Sequence, residues 1–378
     1  MSFCLTALLG DLLPRLLPTM PQNLKDLHKY LHLHKLSTLK AMVLNQTAPI
    51  ETKPLKLSNM QVPELNKNEI LMKIKACGVC RSNLHLIEGD WLKYGIPPKL
   101  PIIPGHEIVG EVETVGENVD KRSFSAGERI GIQPLYNSCR VCDYCLTGRE
   151  HLCDSRQITG DTEDGGYAEF IKVPEDFVYK VPENLDDLHA APLFCPGITA
   201  YKAVKHAELS PGKTVAIFGI GGVGHLALQI AKLYGAKVIA VTRSKLHLDL
   251  ASKLGAYAVI SPEEEDVAES IKRMGYADSA IVFAPAQEAI KQAIRSVKKG
   301  GTIVMGVFGA IGDEFMFIDE KTIKGSVIGS RKDMKEVINL AANGSIEVFC
   351  EKFPLNEANE VLERLKHSKI EARAVLVP

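Results

Sequence analysis

Four cysteines fall within the fifteen residues CRVCDYCLTGREHLC, at Cys139, Cys142, Cys145 and Cys153. The spacing C-x2-C-x2-C-x7-C folds short spacers into turns that let thiolates converge, and four sulfurs complete a tetrahedral zinc with no vacant position. Such a closed site does no chemistry; metal binding there supplies folding free energy to a lobe with little apolar content. An iron–sulfur cluster also uses four thiolates, but its usual spacings differ and no proline follows Cys153. A second set of ligand-type residues is scattered: Cys80, Ser82 and His85 in ACGVCRSNLH, His106 and Glu107 in PGHE, and Cys195 in APLFCPGITAY. A catalytic zinc takes about three protein ligands, commonly from separate loops, and keeps the fourth position open. Cys80, His106 and Cys195 can supply them. Cys77 makes a C-x2-C with Cys80, yet it ends the strand-like KIKAC, and with Cys4 and Cys350 it reads as a packed structural residue.

A third feature is built for phosphate. In KTVAIFGIGGVGHLALQIAKLYGAKVIAV, an apolar run from Val215 to Phe218 leads into Gly219, Ile220, Gly221, Gly222, Val223 and Gly224. Helical periodicity follows from Val223 to Leu233, then a second apolar run from Val238 to Val241. G-x-G-x-x-G between a strand and a helix lets a dinucleotide pyrophosphate rest on backbone N–H groups at the positive end of the helix. At the end of the second strand, where a carboxylate would hold the ribose hydroxyls of NAD, the chain has Thr242, Arg243, Ser244 and Lys245. Hydroxyls and positive charge there suit a 2′-phosphate, so NADP is preferred over NAD.

The elements that must position these groups follow from periodicity. Further apolar runs at Ala258–Ile260, Ala280–Phe283, Thr302–Val307 and Ser326–Ile328 alternate with helix-like stretches, which predicts an α/β fold with a doubly wound parallel sheet over 196–330. The first forty residues differ: they are rich in Leu, with His28, His32 and His34 close together and an amphipathic pattern from Leu24 to Leu36. They read as an extension ahead of a domain beginning near KAMVLNQ, with no basic region before the apolar run and few arginines to mark a signal or transit peptide.

Several motifs in one order carry a resemblance: GVCRSNLH, PGHEIVGEV, GERIGI, the four-cysteine lobe, DGGYAEF, APLFCPGITAYKAV and GIGGVGHLA. From about Lys40 to Pro378 the chain resembles the zinc-dependent alcohol dehydrogenases of the medium-chain dehydrogenase/reductase superfamily. The resemblance implies a β-rich, GroES-like catalytic domain in two pieces, 41–195 and 331–378, flanking the Rossmann domain. It implies two zinc ions per chain, one catalytic on Cys80, His106 and Cys195 and one structural in the lobe 139–153. Glu107 becomes a carboxylate near the catalytic metal, Arg81 and Arg331 partners of the pyrophosphate, Thr199 a contact of the nicotinamide and Trp91 a lining of the substrate pocket. A hydroxyl two residues after the first ligand can take the proton of a buried alcohol, which gives Ser82 that role and His85 the outward transfer. One position departs from the pattern: Asn83 stands where the family usually has an aspartate that orients the histidine ligand.

The rest of the composition limits partners. With 378 residues, 46% apolar and 24% charged, the chain is long enough for two cores. Forty-five basic against forty-six acidic residues leave a net charge of -1, which offers nucleic acid or an anionic membrane no field to follow. The longest apolar stretch, LTALLGDLLPRLL, is broken by Asp11, Pro14 and Arg15. Nine cysteines without a secretory signal fit a reducing compartment, so the expected setting is the cytoplasm. The expected reaction is reversible hydride transfer between NAD(P) and a small alcohol, aldehyde or ketone, in a homo-oligomer, a tetramer or else a dimer as in microbial relatives. Two rivals are a zinc-independent quinone or enone reductase on the same scaffold and a non-catalytic NADPH-binding protein.

Overall fold

The computed structural model describes residues 38–312 and 315–378. The histidine-rich Leu24–Leu36 stretch lies outside them. The described residues open with the strand Thr38–Leu44, slightly ahead of the boundary expected at residue 41.

Six parallel strands form one sheet in the spatial order Ala258–Ile260, Lys237–Val241, Thr214–Phe218, Ala277–Val282, Val297–Met305, Thr322–Gly325. Counted along the chain this is 3-2-1-4-5-6, the Rossmann order, with its switch point beside Thr214–Phe218. Period-2 alternation explains why both faces are covered. Val215, Ile217, Val238 and Ala240 pack in one cluster, and Ala216, Phe218, Ile239 and Val241 in another. The last strand corrects the expectation of Ser326–Ile328. It is the more polar Thr322–Gly325, paired with Thr302–Met305, while Val327 beyond it is 55% exposed. An edge strand needs apolar character on only one side, so its sequence signal is weak.

The second sheet is mixed and gathers distant parts of the chain. Its order is Cys350–Pro354, Arg373–Val377, Glu69–Gly78, Ile108–Val115, Arg129–Ile132, Val178–Lys180, with Phe170–Pro174 also on Glu69–Gly78. Val375 pairs with Gly78 and Leu376 with Cys77, so the C-terminal strand completes the domain begun some three hundred residues earlier. The helix Arg331–Ala342 is started by Ser330, whose hydroxyl accepts from Asp333 N while the Asp333 carboxylate accepts from Ser330 N. It packs on the helix Pro196–His206 through Lys205 Nζ to Asp333 Oδ1 (2.7 Å) and Tyr201 Oη to Glu336 Oε2 (2.8 Å). Among the described residues no helix is long and apolar enough to cross a membrane.

Candidate active site and metal centres

Two of the scattered sulfurs sit at helix starts. Cys80 is the N-cap of Arg81–Glu88, where the N3 backbone N–H meets its sulfur, and Cys195 is the N-cap of Pro196–His206, without a side-chain cap bond. His106 and Glu107 lie in the loop entering Ile108–Val115. These four buried residues bring one ligand atom each within 4.8 Å of the others. Cys80 Sγ is 3.9 Å from Cys195 Sγ, and Ser82 Oγ lies 2.9 Å from Cys80 Sγ and 3.3 Å from His106 Nε2. For Zn–S bonds of about 2.3 Å the edge of a tetrahedron is about 3.8 Å, so the sulfur pair is spaced for one ion. Hydrogen bonds from Cys195 and His106 hold the Cys80 thiol well below its ordinary value, against the opposing effect of burial. The Cys195 thiol moves the opposite way, held well above its ordinary value by its hydrogen bond with Cys80 and by burial.

The other side of His106 is held by the unusual residue. Asn83 Nδ2 faces His106 Nδ1 at 3.3 Å, and Asn83 Oδ1 accepts from Tyr167 Oη and Cys80 N, each at 3.3 Å. Both Asn83 and Tyr167 are fully inside.

Glu107 is the most costly group of the set. It is 0% exposed, Oε1 accepts from Arg373 Nη2, and Oε2 has no partner. Burial pushes its carboxyl up to about 7, with Arg373 pulling the other way. A Cβ at Gly78 would meet this carboxylate, which is why that strand ends in glycine. Arg373 also reaches the dinucleotide turn: a Cβ on Gly222 would run into its guanidinium. Sequence reasoning did not select Arg373. An arginine opening the apolar strand RAVLV and ending 4% exposed was the available signal.

The turn itself is shaped for backbone approach. Gly219 has φ +97°, and Gly224 lies against the Gly219 carbonyl with no room for a side chain. His225 Nδ1 is 3.1 Å from Gly221 O. Thr242 is buried, Arg243 is exposed, Ser244 caps Lys245–Lys253 without a side-chain bond, and Lys245 pairs loosely with Asp249 (3.6 Å). Arg81 donates to Leu365 O at 2.8 Å, and Thr199 lies one turn beyond Cys195.

Arg331 requires a correction. Its Nε and backbone N–H are bound to Glu150 Oε1 (3.1 and 2.8 Å), and its guanidinium stacks on Phe177. It is the first residue of a helix, committed to the four-cysteine lobe side, and the arginine beside Gly222 is Arg373. His85 lies one turn after Ser82, with Nδ1 2.7 Å from Asp90 Oδ2 and its ring 5.9 Å from Trp91. Trp91 is half-buried and, with Tyr94, touches Phe308 of the other domain; the Tyr94 and Phe308 rings stack at 4.7 Å. Phe308 was not foreseen.

The second metal set is Cys139, Cys142, Cys145 and Cys153, again within 4.8 Å, with Cys139 Sγ 3.9 Å from Cys145 Sγ. Backbone N–H groups of Val141 and Cys142 lower the Cys139 thiol to about 6. Val141 and Leu146 are 75% and 71% exposed, so the lobe has little core and depends on its sulfurs. Cys77 is buried, its Sγ 3.7 Å from Gly78 O, and burial pushes its thiol far up.

Comparison with known proteins agrees on both halves. The family model described as alcohol dehydrogenase GroES-like domain matches residues 66–183, and that described as zinc-binding dehydrogenase matches 222–343. An alcohol dehydrogenase of Geobacillus stearothermophilus is 44% identical over 89% of this chain and 98% of its own length. The crystal structure of the alcohol dehydrogenase from Aeropyrum pernix superposes with a TM-score of 0.82 at 32% identity, covering 90% of this chain and all of its own. A zinc-binding dehydrogenase from Sinorhizobium meliloti bound to NADP superposes at 0.79 and 30% identity, with 90% and 100% covered.

Proposed function

The chain belongs to the zinc-dependent alcohol dehydrogenases of the medium-chain dehydrogenase/reductase superfamily, and from that premise we propose that it interconverts a small primary or secondary alcohol with its aldehyde or ketone, using NADP in preference to NAD. The observation that carries this reading is the convergence of Cys80, His106 and Cys195 from three separate loops, next to a glycine-rich turn that the Glu107–Arg373 pair ties to them. The chemistry supplied by zinc and a nicotinamide dinucleotide, when bound, is Lewis-acid polarisation of the substrate oxygen and a hydride acceptor. Cys80, His106 and Cys195 would hold the catalytic ion. Ser82 Oγ, 3.3 Å from His106 Nε2, takes up the hydroxyl proton of the alcohol, and His85, steadied by Asp90, passes it outward. The Gly219–Gly224 turn carries the pyrophosphate with Arg373 and Arg81, and Thr199 borders the nicotinamide. Trp91, Tyr94 and Phe308 form the aromatic side of the substrate cleft. The four-cysteine set would hold a second, structural zinc.

Thr242, Arg243, Ser244 and Lys245 support NADP because no carboxylate stands among them to repel a 2′-phosphate, and the Sinorhizobium relative carries NADP. The exposed apolar run that includes Phe317 (83%) and Ile318 (58%), just before the edge strand Thr322–Gly325, supports a homo-oligomer. The expected setting remains the cytoplasm. The test is alcohol oxidation and ketone reduction with both dinucleotides side by side, repeated with His106→Ala and Thr242→Asp. His106→Ala is expected to lower turnover at least about a hundredfold; Thr242→Asp is expected to reverse the dinucleotide preference. An undiminished rate in His106→Ala points to zinc-independent reduction, and no turnover over a broad panel points to a binding protein.

A further inference from the structure

His225 follows the last glycine of the dinucleotide turn and is wholly buried, yet no step of the proposed reaction uses it. Its backbone N–H and its ring Nδ1 meet the same atom, the Gly221 carbonyl oxygen, each at 3.1 Å. A carbonyl beside Nδ1 fixes the tautomer: Nδ1 carries the proton and donates, and Nε2 keeps its lone pair. Nε2 has no partner among the described residues, and the ring stands edge-on to Phe349 with centroids 6.2 Å apart. Burial pushes the imidazole down to about 4, so it is a neutral donor at pH 7. Both lone pairs of the Gly221 carbonyl are thereby taken.

The doubled anchor matters because of its place. A peptide unit is planar and trans, so the Gly221 carbonyl and the Gly222 N–H point in opposite directions. With the carbonyl drawn toward the helix Gly224–Leu233, the Gly222 N–H faces the other way, to the side from which a pyrophosphate approaches a helix start. No backbone acceptor meets that N–H among the described residues. Two adjacent glycines leave this peptide free to rotate, and a Cβ placed on Gly221 would have only His247 Cε1, at 3.9 Å, for a neighbour. Arg373 completes the receptor: its Nη2 is spent on Glu107 and Val79 O, and its Nη1 is the end beside Gly222.

We propose that His225 is a positioning residue for the dinucleotide: by donating from Nδ1 to Gly221 O it holds the Gly221–Gly222 peptide so that the Gly222 N–H and Arg373 Nη1 meet the pyrophosphate together. His225 itself touches no ligand. The proposal rests on the dinucleotide reading of the turn and adds to it a side chain that the glycine pattern does not contain.

The experiment is fluorescence titration of the zinc-replete protein with NADH and with NADPH, followed by their displacement with ADP-ribose and with adenosine, in the parent, His225→Leu and His225→Asn. Leucine keeps apolar bulk against Phe349 and has no donor, whereas asparagine puts an amide N–H where Nδ1 stands and fills less space. Packing alone therefore favours leucine, and positioning favours asparagine. Both variants are titrated well below their melting transitions. His225→Leu is expected to weaken the dinucleotides and ADP-ribose about fivefold, the worth of one neutral hydrogen bond, and to leave adenosine, which has no phosphate, unchanged. His225→Asn is expected to recover the parent's affinity even where it melts lower. Binding by His225→Leu as tight as by His225→Asn, or adenosine weakened in step with ADP-ribose, overturns the proposal while the dinucleotide reading stands. A parent that binds neither dinucleotide overturns that reading and the proposal with it.

Discussion

Asn83→Asp is expected to tighten zinc at the Cys80, His106, Cys195 set about 10- to 100-fold. The amide is already committed: Oδ1 accepts from Tyr167 Oη and Cys80 N, and Nδ2 is the end turned to His106 Nδ1, all at 3.3 Å. A histidine that binds metal through Nε2 carries its remaining proton on Nδ1 and needs an acceptor there. The amide meets that need only by turning its oxygen toward His106, which surrenders the bonds from Tyr167 and Cys80. A carboxylate has two oxygens and serves both sides. A hydrogen bond to a charged group contributes about 1.5–3 kcal/mol, and at about 1.4 kcal/mol per decade this is the tenfold to hundredfold stated above. Without metal the substitution has the opposite sign, because a carboxylate at a position 1% exposed is buried with no cation added. Competition for zinc between the protein and a graded chelator reads the first effect, and melting of the metal-free proteins reads the second. Zinc affinity of the variant equal to or below that of the parent refutes the reasoning.

Other perturbations separate the remaining parts. Mild chelation of the parent is expected to remove the ion next to Asn83 first and leave about one zinc per chain in the four-cysteine lobe, as metal analysis would show; retention of both counts against it. Gly222→Ala is expected to push Arg373 off its place beside the turn and raise KM for the dinucleotide about tenfold or more while both metals stay bound; an unchanged KM removes Arg373 from the phosphate site. Asp333 is held at about 2 by Lys205 and by Ser330 N and Oγ, although burial alone would raise it. Its folded value lies below the ordinary 3.8, so its contribution is full above that pH and fades as pH falls toward about 2. Asp333→Asn should therefore cost about 2 kcal/mol at neutral pH, with the difference in denaturant midpoint shrinking below pH 4; a constant difference through that range refutes the charge account.

The dinucleotide half was readable because its signals are local. Val215–Phe218, the glycines and Val238–Val241 announce strand, turn and helix within thirty residues, and the register adds nothing that the alternation of Val215 and Ala216 did not imply. The convergence of Cys80, His106 and Cys195 was readable for another reason, that Cys and His are few and chemically distinct. What lay beyond reading was pairing across distance. Arg373 gains its meaning from Glu107 and Gly222, hundreds of residues upstream, and nothing near RAVLV points to either. Arg331 was assigned from the family resemblance, and the helix start that Ser330 and Asp333 create carried it to Glu150 instead. Tyr167 belongs to the same class, a ring buried for packing whose hydroxyl matters only because Asn83 is within reach.

The pairing of Val375 and Leu376 with Gly78 and Cys77 also orders events during synthesis. The parallel sheet is made from one uninterrupted stretch and can close while the ribosome is still working. The flanking domain cannot, since its central strand waits for a neighbour translated near the end, and that neighbour begins with Arg373, the cation that touches Glu107. A growing chain therefore meets the cell with its nucleotide half finished and its metal-holding half open, and thiols 80 and 195 stay unguarded until the last strand arrives.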